Sequence, residues 1–295
     1  MNIIALIIAL IGFFSAIFTS SMNTYLLKTF RKKKIDMVLF FYRFSLDVAL
    51  GFQNIVYLGF VILDSFFAEQ LLNYQNLIFY LSLPASNIGA IRSIVTLSIS
   101  IDRMVASYAP IFYHNYRQAL PNLLILTIAT VYGLAEDLVL YGFCDFQLSI
   151  PQNCIAFGCA INTCFFNYWT THKTIIFALT FIFAILLCVK LFIFDNMGVQ
   201  GAIIVTRINR LALIDAATVC IFDFLPSFLA NQFSKNPFFS FQNIGPYGTA
   251  TKLLGCAIEA FLVYRTMSKR EQVQIIESST EVVMRRRKIT AVRVS

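Results

Sequence analysis

Charged side chains stand inside long apolar stretches of this sequence. Arg43, Asp47 and Arg92 are each flanked by apolar residues, and Asp102 and Arg103 follow the run that contains Arg92. If these stretches cross a membrane, each unpaired charge costs about 2.5–3.5 kcal/mol at the helix centre on insertion scales. Such residues pair with one another, line a path for ions, or face a ligand. They are therefore the residues from which a function can be argued.

The composition is that of a membrane protein, with 58% apolar residues, 13% charged residues and a mean hydropathy of +0.74. A membrane helix needs about 20 apolar residues. Seven runs of that length occur, at 3–27, 37–63, 77–101, 121–141, 174–194, 211–231 and 247–267. Because the runs are continuous, they do not fit a membrane β-barrel, whose strands alternate over about ten residues. The sequence predicts an all-α membrane protein, a seven-transmembrane helix bundle with helices numbered one to seven.

Basic residues set the expected orientation. Lys28 and the run from Arg31 to Lys34 follow helix one, and positive charge next to a membrane helix marks the cytoplasmic side. The N-terminus is therefore expected outside and the C-terminus in the cytoplasm, which puts eighteen of the 23 lysines and arginines on the inner side and only Lys173 and Lys235 in outer loops. The net charge of +8 then belongs to the face beside the lipid bilayer, and no nucleic-acid partner is expected.

Two domains are predicted on this basis. Residues 1–267 form the seven-helix transmembrane domain, and residues 268–295 form a basic cytoplasmic tail that is expected to be flexible.

The charges of helices two and three allow two pairings. Arg43 and Asp47 are four residues apart and can pair within helix two. Asp47 also lies at nearly the same depth as Arg92, counted from the cytoplasmic ends of the two helices, so an intramembrane ion pair between helices is the preferred hypothesis.

Helices six and seven carry further polar residues. Pro226 is predicted to kink helix six, because proline removes a backbone hydrogen bond. Asp223 lies beside the kink, and Lys252 lies in the outer half of helix seven. Either these two side chains form a structural pair, or they line a ligand pocket among aromatic side chains.

Four cysteines occupy the segment after helix four, which the topology places outside: Cys144, Cys154, Cys159 and Cys164. Thiols oxidise there, so two disulfides are expected, with three connectivities open. A metal site is not expected, because His172 is the only imidazole nearby and the spacing fits no zinc pattern.

The sequence contains no motif of an enzyme: neither a phosphate-binding glycine loop, nor GxSxG, nor HExxH. Catalysis and a cofactor are not expected. A ligand-gated channel or transporter is the alternative to a receptor, because intramembrane charges often line transport paths. The two halves of the chain show no repeat of the kind found in transporters.

Asp102 and Arg103, followed by Pro110 and Tyr113, resemble the D-R-Y, proline and tyrosine arrangement of rhodopsin-like G-protein-coupled receptors. From helix two to helix seven the chain resembles more closely the nematode chemoreceptors of serpentine receptor class BC (Srbc). The resemblance is carried by IDRMVASYAPIFYHNYR, YGLAEDLVLYGFCDF, NCIAFGCAINTCFFNYWTTHK, NRLALIDA, FDFLPSF and IGPYGTATKLLGCAIE. It implies a chemoreceptor in the plasma membrane, in sensory neuron cilia. Its partners would be a small-molecule chemical ligand and a heterotrimeric G-protein, and whether it acts as a dimer stays open.

The same resemblance implies roles for individual residues. Arg103 would hold the inactive state and then contact the G-protein, with Asp102 as its local partner. Phe224 and Pro226 would form the helix-six switch, with Phe224 in place of the usual tryptophan. The chain departs from rhodopsin-like receptors at Ile78, where they carry a helix-three cysteine, and in helix seven, which has no NPxxY.

Overall fold

The computed structural model describes residues 3–30, 38–117, 121–151, 154–196, 203–232 and 244–267, and these contain no β-strand. The membrane helices are helix one (Ile3–Phe30), helix two (Val38–Leu71), helix three (Asn76–Tyr108), helix four (Asn122–Leu138), helix five (Thr163–Asn196), helix six (Ile203–Val219, continued by Leu225–Gln232) and helix seven (247–267). Short helices span Pro110–Tyr116 and Phe157–Ala160. The predicted tail at 268–295, the basic run 31–34 and Lys235 lie outside the described residues.

Six of these helices are long and apolar enough to cross a membrane. Helix seven has 21 residues but is less apolar, since it carries Lys252 and Glu259. A helix satisfies its own backbone hydrogen bonds, which is why continuous apolar runs of this length adopt this form in a bilayer.

Helix three is the axis of the bundle. It contacts helices two, four, five and six, and 56% of its most apolar stretch is buried, against 22% for helix four. Buried side chains such as Ile78, Val95 and Ile99 pack along it. Its charged residues therefore lie where several helices meet.

The predicted start of helix five at 174 is wrong, since the helix begins at Thr163. The Asn162 side chain accepts a hydrogen bond from the Phe165 amide at 2.9 Å, a typical cap for a helix start. The first turns contain polar residues such as Thr170 and Lys173, which are buried inside the bundle. An apolar-run criterion misses such turns, because their polar side chains face protein and not lipid.

Helices two and three also run past their predicted ends at 63 and 101. The predictions stopped before Asp64 and Asp102, but helix two continues to Leu71 and helix three to Tyr108. Helix three ends only before Pro110, whose ring disfavours a helical conformation at the preceding residue.

Helix six is interrupted by a π-helical turn at Cys220–Phe224. The Leu225 amide donates to the carbonyl of Cys220, five residues earlier. Pro226 lies two residues beyond this turn. A π-helical turn holds one residue more than an α-helical turn, and the wider turn makes room for the proline ring, which would otherwise crowd the turn before it. The predicted weak point of helix six is thus a local change of helix type.

Candidate functional site

Arg92 of helix three binds carboxylates from three other helices. Its Nε donates to Asp47 Oδ1 at 2.7 Å, and its Nη2 donates to Glu259 Oε2 at 3.0 Å. Its Nη1 lies 3.4 Å from Oδ2 of Asp223, which belongs to the π-turn of helix six. One buried guanidinium therefore connects helices two, three, six and seven.

Arg43 of helix two is fully buried and makes a second set of ion pairs. Its Nη1 lies 2.5 Å from Asp47 Oδ1, and its Nη2 lies 2.8 Å from both Asp215 Oδ1 and Glu259 Oε2. Its Nε donates to Thr96 Oγ1 at 2.8 Å. The two pairings considered for Asp47 therefore occur together, because one oxygen accepts from both arginines.

These side chains form a central network: Arg43, Asp47, Arg92, Asp215, Asp223 and Glu259. Lys252 joins its edge, with Nζ 3.9 Å from Asp223 Oδ1. Three cations face four carboxylates, so the group balances to within one charge. The intramembrane pair predicted from sequence did not include Asp215 or Glu259. Both are acids within apolar runs, the same signal that singled out Asp47.

A cavity of about 90 Å³ adjoins the network. Asp223 and Lys252 line it, as do aromatic side chains such as Tyr57, Phe157 and Trp169. Asp223 therefore belongs to both features: one of its oxygens faces Arg92 and the other faces Lys252.

A second polar cluster lies between helices three, four and five. Glu136 is fully buried, accepts from Ser86 Oγ at 3.0 Å, and has His172 Nε2 2.9 Å from its other oxygen. Trp169 Nε1 donates to the same Ser86 hydroxyl at 2.8 Å. Lys173 Nζ lies 4.0 Å from the centre of the Trp169 ring. The expectation that Lys173 lies in an outer loop is therefore wrong. His172 is bound to Glu136, and the described residues contain no cluster suited to a metal ion.

The cysteines form the disulfides Cys144–Cys164 and Cys154–Cys159. Cys164 lies in the first turn of helix five and not in the preceding loop. The shorter bridge closes a segment that contributes Ala156, Phe157 and Gly158 to the cavity wall. This segment is fixed to helix two, since Tyr57 Oη donates to a backbone oxygen within it at 3.4 Å.

The end of helix three carries a local set of contacts, named here the Asp102 cluster: Asp102, Arg103, Tyr113 and Arg117. Arg103 binds the Asp102 carboxylate and donates to Tyr113 Oη at 2.7 Å. The Tyr113 hydroxyl lies 3.2 Å from Asp102 Oδ2, and Arg117 Nε lies 2.6 Å from Asp102 Oδ1. Pro110 opens the short helix that brings Tyr113 back against Arg103. Burial raises the pKa of the Tyr113 hydroxyl, so it keeps its proton and donates to Asp102.

A family model described as "Serpentine type 7TM GPCR chemoreceptor Srbc" matches residues 1–271. The chain belongs to the Srbc family. The match includes helix one, which lay outside the resemblance read from the sequence, and ends just past helix seven. A search of curated proteins finds no match. The protein is therefore a membrane protein of a serpentine chemoreceptor family.

In this Srbc chain, two phenylalanines of the predicted switch segment of helix six make contacts in different places. Phe224 stacks on Phe228 of the same helix, with ring centres 5.7 Å apart. Phe222 instead faces helix seven, where a Cβ placed on Gly255 would come within 2.6 Å of its Cβ. Phe222 and Gly255 thus form the close contact between helices six and seven.

The other departures of this Srbc chain have clear structural counterparts. Ile78 is fully buried and packs with Tyr57 and Leu253, so the position that is cysteine in rhodopsin-like receptors is apolar core. Tyr264, near the end of helix seven, makes an edge contact with Tyr25 of helix one at 5.7 Å.

Proposed function

We propose that this protein is a chemosensory G-protein-coupled receptor of the plasma membrane. It binds a small external molecule in the cavity and activates a heterotrimeric G-protein through the ends of helices three and six. Its N-terminus lies outside, and its C-terminal tail, 268–295, lies in the cytoplasm. By family resemblance, it works in sensory neuron cilia.

The single observation that supports this proposal best is that Asp223 belongs to both the cavity wall and the central network. Its side chain lines the cavity and also reaches Arg92 in the central network. A ligand changes a conformational equilibrium only through different affinities for the two states. A molecule in the cavity contacts Asp223, which lies in the π-turn of helix six. Its affinity therefore changes when this turn moves.

Helix six then moves at the π-turn and Pro226, where its regular hydrogen bonding is interrupted. Its inner part swings away from helix three. The Asn209 side chain of helix six bonds Ser107 of helix three at 3.2 Å, and this contact opens with the swing. Arg103 leaves Tyr113 and Asp102 and contacts the G-protein.

Arg103→Ala tests this assignment. Receptor in lipid nanodiscs is mixed with a heterotrimeric G-protein, and nucleotide exchange is measured with and without an activating compound found by screening wild type. We expect the variant to lose ligand-evoked exchange while its surface expression stays near that of wild type. Preserved exchange would remove Arg103 from the proposed coupling site.

Arg117→Ala is the matched control, because it removes a second cation from the same carboxylate of Asp102. It should retain at least half of the evoked exchange. Equal losses in the two variants would mean that any loss of charge at this end stops signalling.

A channel or transporter is the second candidate. The buried charged side chains of the central network favour it, since intramembrane charges often line ion paths. Ligand-evoked current in planar bilayers that contain the receptor but no G-protein would support it. Ligand-evoked exchange without current would support the receptor.

A further inference from the structure

The charge on the cavity wall points to the chemical class of the ligand. We propose that the cavity binds a small carboxylate with an apolar body, held between Lys173 and Lys252. This inference rests on the proposed function, since it assigns the ligand class to the same cavity.

Lys173 brings an ammonium group that makes no direct ion pair with a carboxylate of the described residues. It lines the cavity and is 7% exposed. Its Nζ lies 3.5 Å from Ser86 Oγ and over the face of Trp169, and among the described residues it has no carboxylate oxygen within 4.0 Å. The contact with Ser86 is long for a hydrogen bond and uses only one of the three N–H donors of the ammonium group. Lys173 therefore keeps N–H donors available for a ligand.

Lys252 lines the cavity from helix seven and is also poorly paired. Its Nζ lies 3.9 Å from Asp223 Oδ1, well beyond a hydrogen bond. It rests against Gly89 of helix three, where a Cβ would come within 2.5 Å of Nζ. The missing side chain at Gly89 leaves the space that the ammonium group occupies.

The acceptors near the cavity are occupied or uncharged. Asp223 faces Arg92 with one oxygen and Lys252 with the other. Glu136 accepts from Ser86 and lies against His172. Asn54 also lines the cavity, and its Oδ1 has no hydrogen-bond partner among the described residues, but this oxygen carries no formal charge. The cavity thus offers two ammonium groups and no unshared carboxylate, which is complementary to an anion.

The rest of the wall limits the size and polarity of the ligand. Tyr57, Phe157, Trp169 and Phe177 supply aromatic surface around the ammonium groups. The volume of about 90 Å³ holds several water molecules, at roughly 10–15 Å³ each by this measure. A carboxylic acid with a short aliphatic chain or one ring fits this combination of charge, surface and size.

A carboxylate here also acts on helix six. It competes with Asp223 for Lys252, so the link between helices six and seven weakens when the ligand binds. Asp223 is then left to Arg92 alone. The anion therefore favours an arrangement in which the π-turn of helix six has shifted.

The test uses the purified full-length receptor in nanodiscs, without any G-protein. The probes are sodium salts of propionate, pentanoate, benzoate and phenylacetate, each compared with the corresponding amide and the corresponding amine. Thermal unfolding is followed over a concentration series, because a compound that binds only the folded state raises Tm.

We expect at least one acid to raise Tm when its amide and amine do not. Its apparent affinity should fall at least tenfold in Lys173→Gln and in Lys252→Gln. Lys190→Gln is the control, since that ammonium lies 5.1 Å from the Tyr108 ring, at the other end of helix five, and should leave the affinity unchanged. Gly89→Ala keeps both charges but displaces the Lys252 ammonium group, so it should also weaken binding. This variant tests the site even if a lysine variant fails to fold.

Equal Tm shifts with acids and amides, a shift with an amine alone, or no shift with any acid would overturn the inference. The proposed function fails separately. An acid that raises Tm in wild type but never evokes nucleotide exchange would support the carboxylate site and contradict the assigned receptor activity.

Discussion

The central network and the Asp102 cluster both join arginines to carboxylates, but over very different distances along the chain. Arg92 binds acids that are 45 and 167 residues away, and Arg43 reaches acids that are 172 and 216 residues away. Arg103 binds Asp102, its neighbour, and Tyr113, ten residues on. The first set connects helices, whereas the second holds one short segment of the chain.

The central network and the Asp102 cluster therefore contribute to different properties of the protein. An arginine that connects several helices contributes to the stability of the bundle, and removing it leaves the buried carboxylates with less compensating positive charge. An arginine held only by its own segment can be released without separating any helices. The Asp102 cluster can therefore change state while the fold persists, which the proposed coupling site requires.

Charge exchange between Asp47 and Arg92 should have the largest effect. In an isolated pair, the double variant Asp47→Arg with Arg92→Asp would recover what each single reversal loses. Here the new arginine at 47 would face Arg43, and the new aspartate at 92 would face Glu259 and Asp223. We expect no recovery of surface expression, measured by antibody staining of intact cells.

Recovery in the double variant would mean that this pair acts alone. It would also remove the contrast between the central network, which several helices share, and the local Asp102 cluster.

Arg43→Met should have the next largest effect. It substitutes an apolar side chain of similar length and removes one cation from three carboxylates. Asp47 and Glu259 keep Arg92, but Asp215 is left without a cation among the described residues, and breaking a buried pair in this way typically costs about 3–5 kcal/mol. Denaturation of the purified receptor in detergent measures the loss in the free energy of unfolding. Arg265→Met, an exposed arginine of helix seven, is the control and should cost little. Equal values for both variants would contradict a structural role for the network.

Tyr113→Phe should have the smallest effect on stability, about 0.5–1.5 kcal/mol, because it removes one hydroxyl from a half-buried position. That hydroxyl accepts from Arg103 and lies against Asp102, so its loss leaves Arg103 held by Asp102 alone. We expect basal nucleotide exchange to rise about 2- to 10-fold, the ratio that this energy allows.

Tyr108→Phe is the matched control, because Tyr108 donates to the Leu186 carbonyl at 3.0 Å and not to the Asp102 cluster. A larger rise in basal exchange in Tyr108→Phe than in Tyr113→Phe would shift the switch from the cluster to the contact between helices three and five.

The helices could be predicted from the sequence because a helix that crosses lipid needs a long apolar run. Their ends could not be predicted as well. Helix five begins eleven residues earlier than expected, since Thr170 and Lys173 are polar but face the interior. Asp64 likewise marks no end of helix two, because its side chain is buried.

The candidate site divides in the same way. Depth along two neighbouring helices was enough to bring Asp47 and Arg92 together. It could not add Glu259, or the cluster of Glu136 and His172, because those contacts depend on how each helix is rotated about its own axis. Lys173 illustrates the limit: a basic residue beside an apolar run looks like a loop residue until the fold turns it toward Trp169.

The Cys154–Cys159 bridge determines when one part of the cavity wall is covalently closed. The cavity wall at Ala156 and Phe157 lies within the segment that this bridge closes. Disulfides form in the oxidising lumen of the secretory pathway and not in the cytosol. A newly synthesised chain with reduced thiols therefore lacks the covalent bond that closes this part of the cavity wall. Under the proposed function, the binding site is therefore complete only in receptors whose Cys154–Cys159 bridge has formed during export.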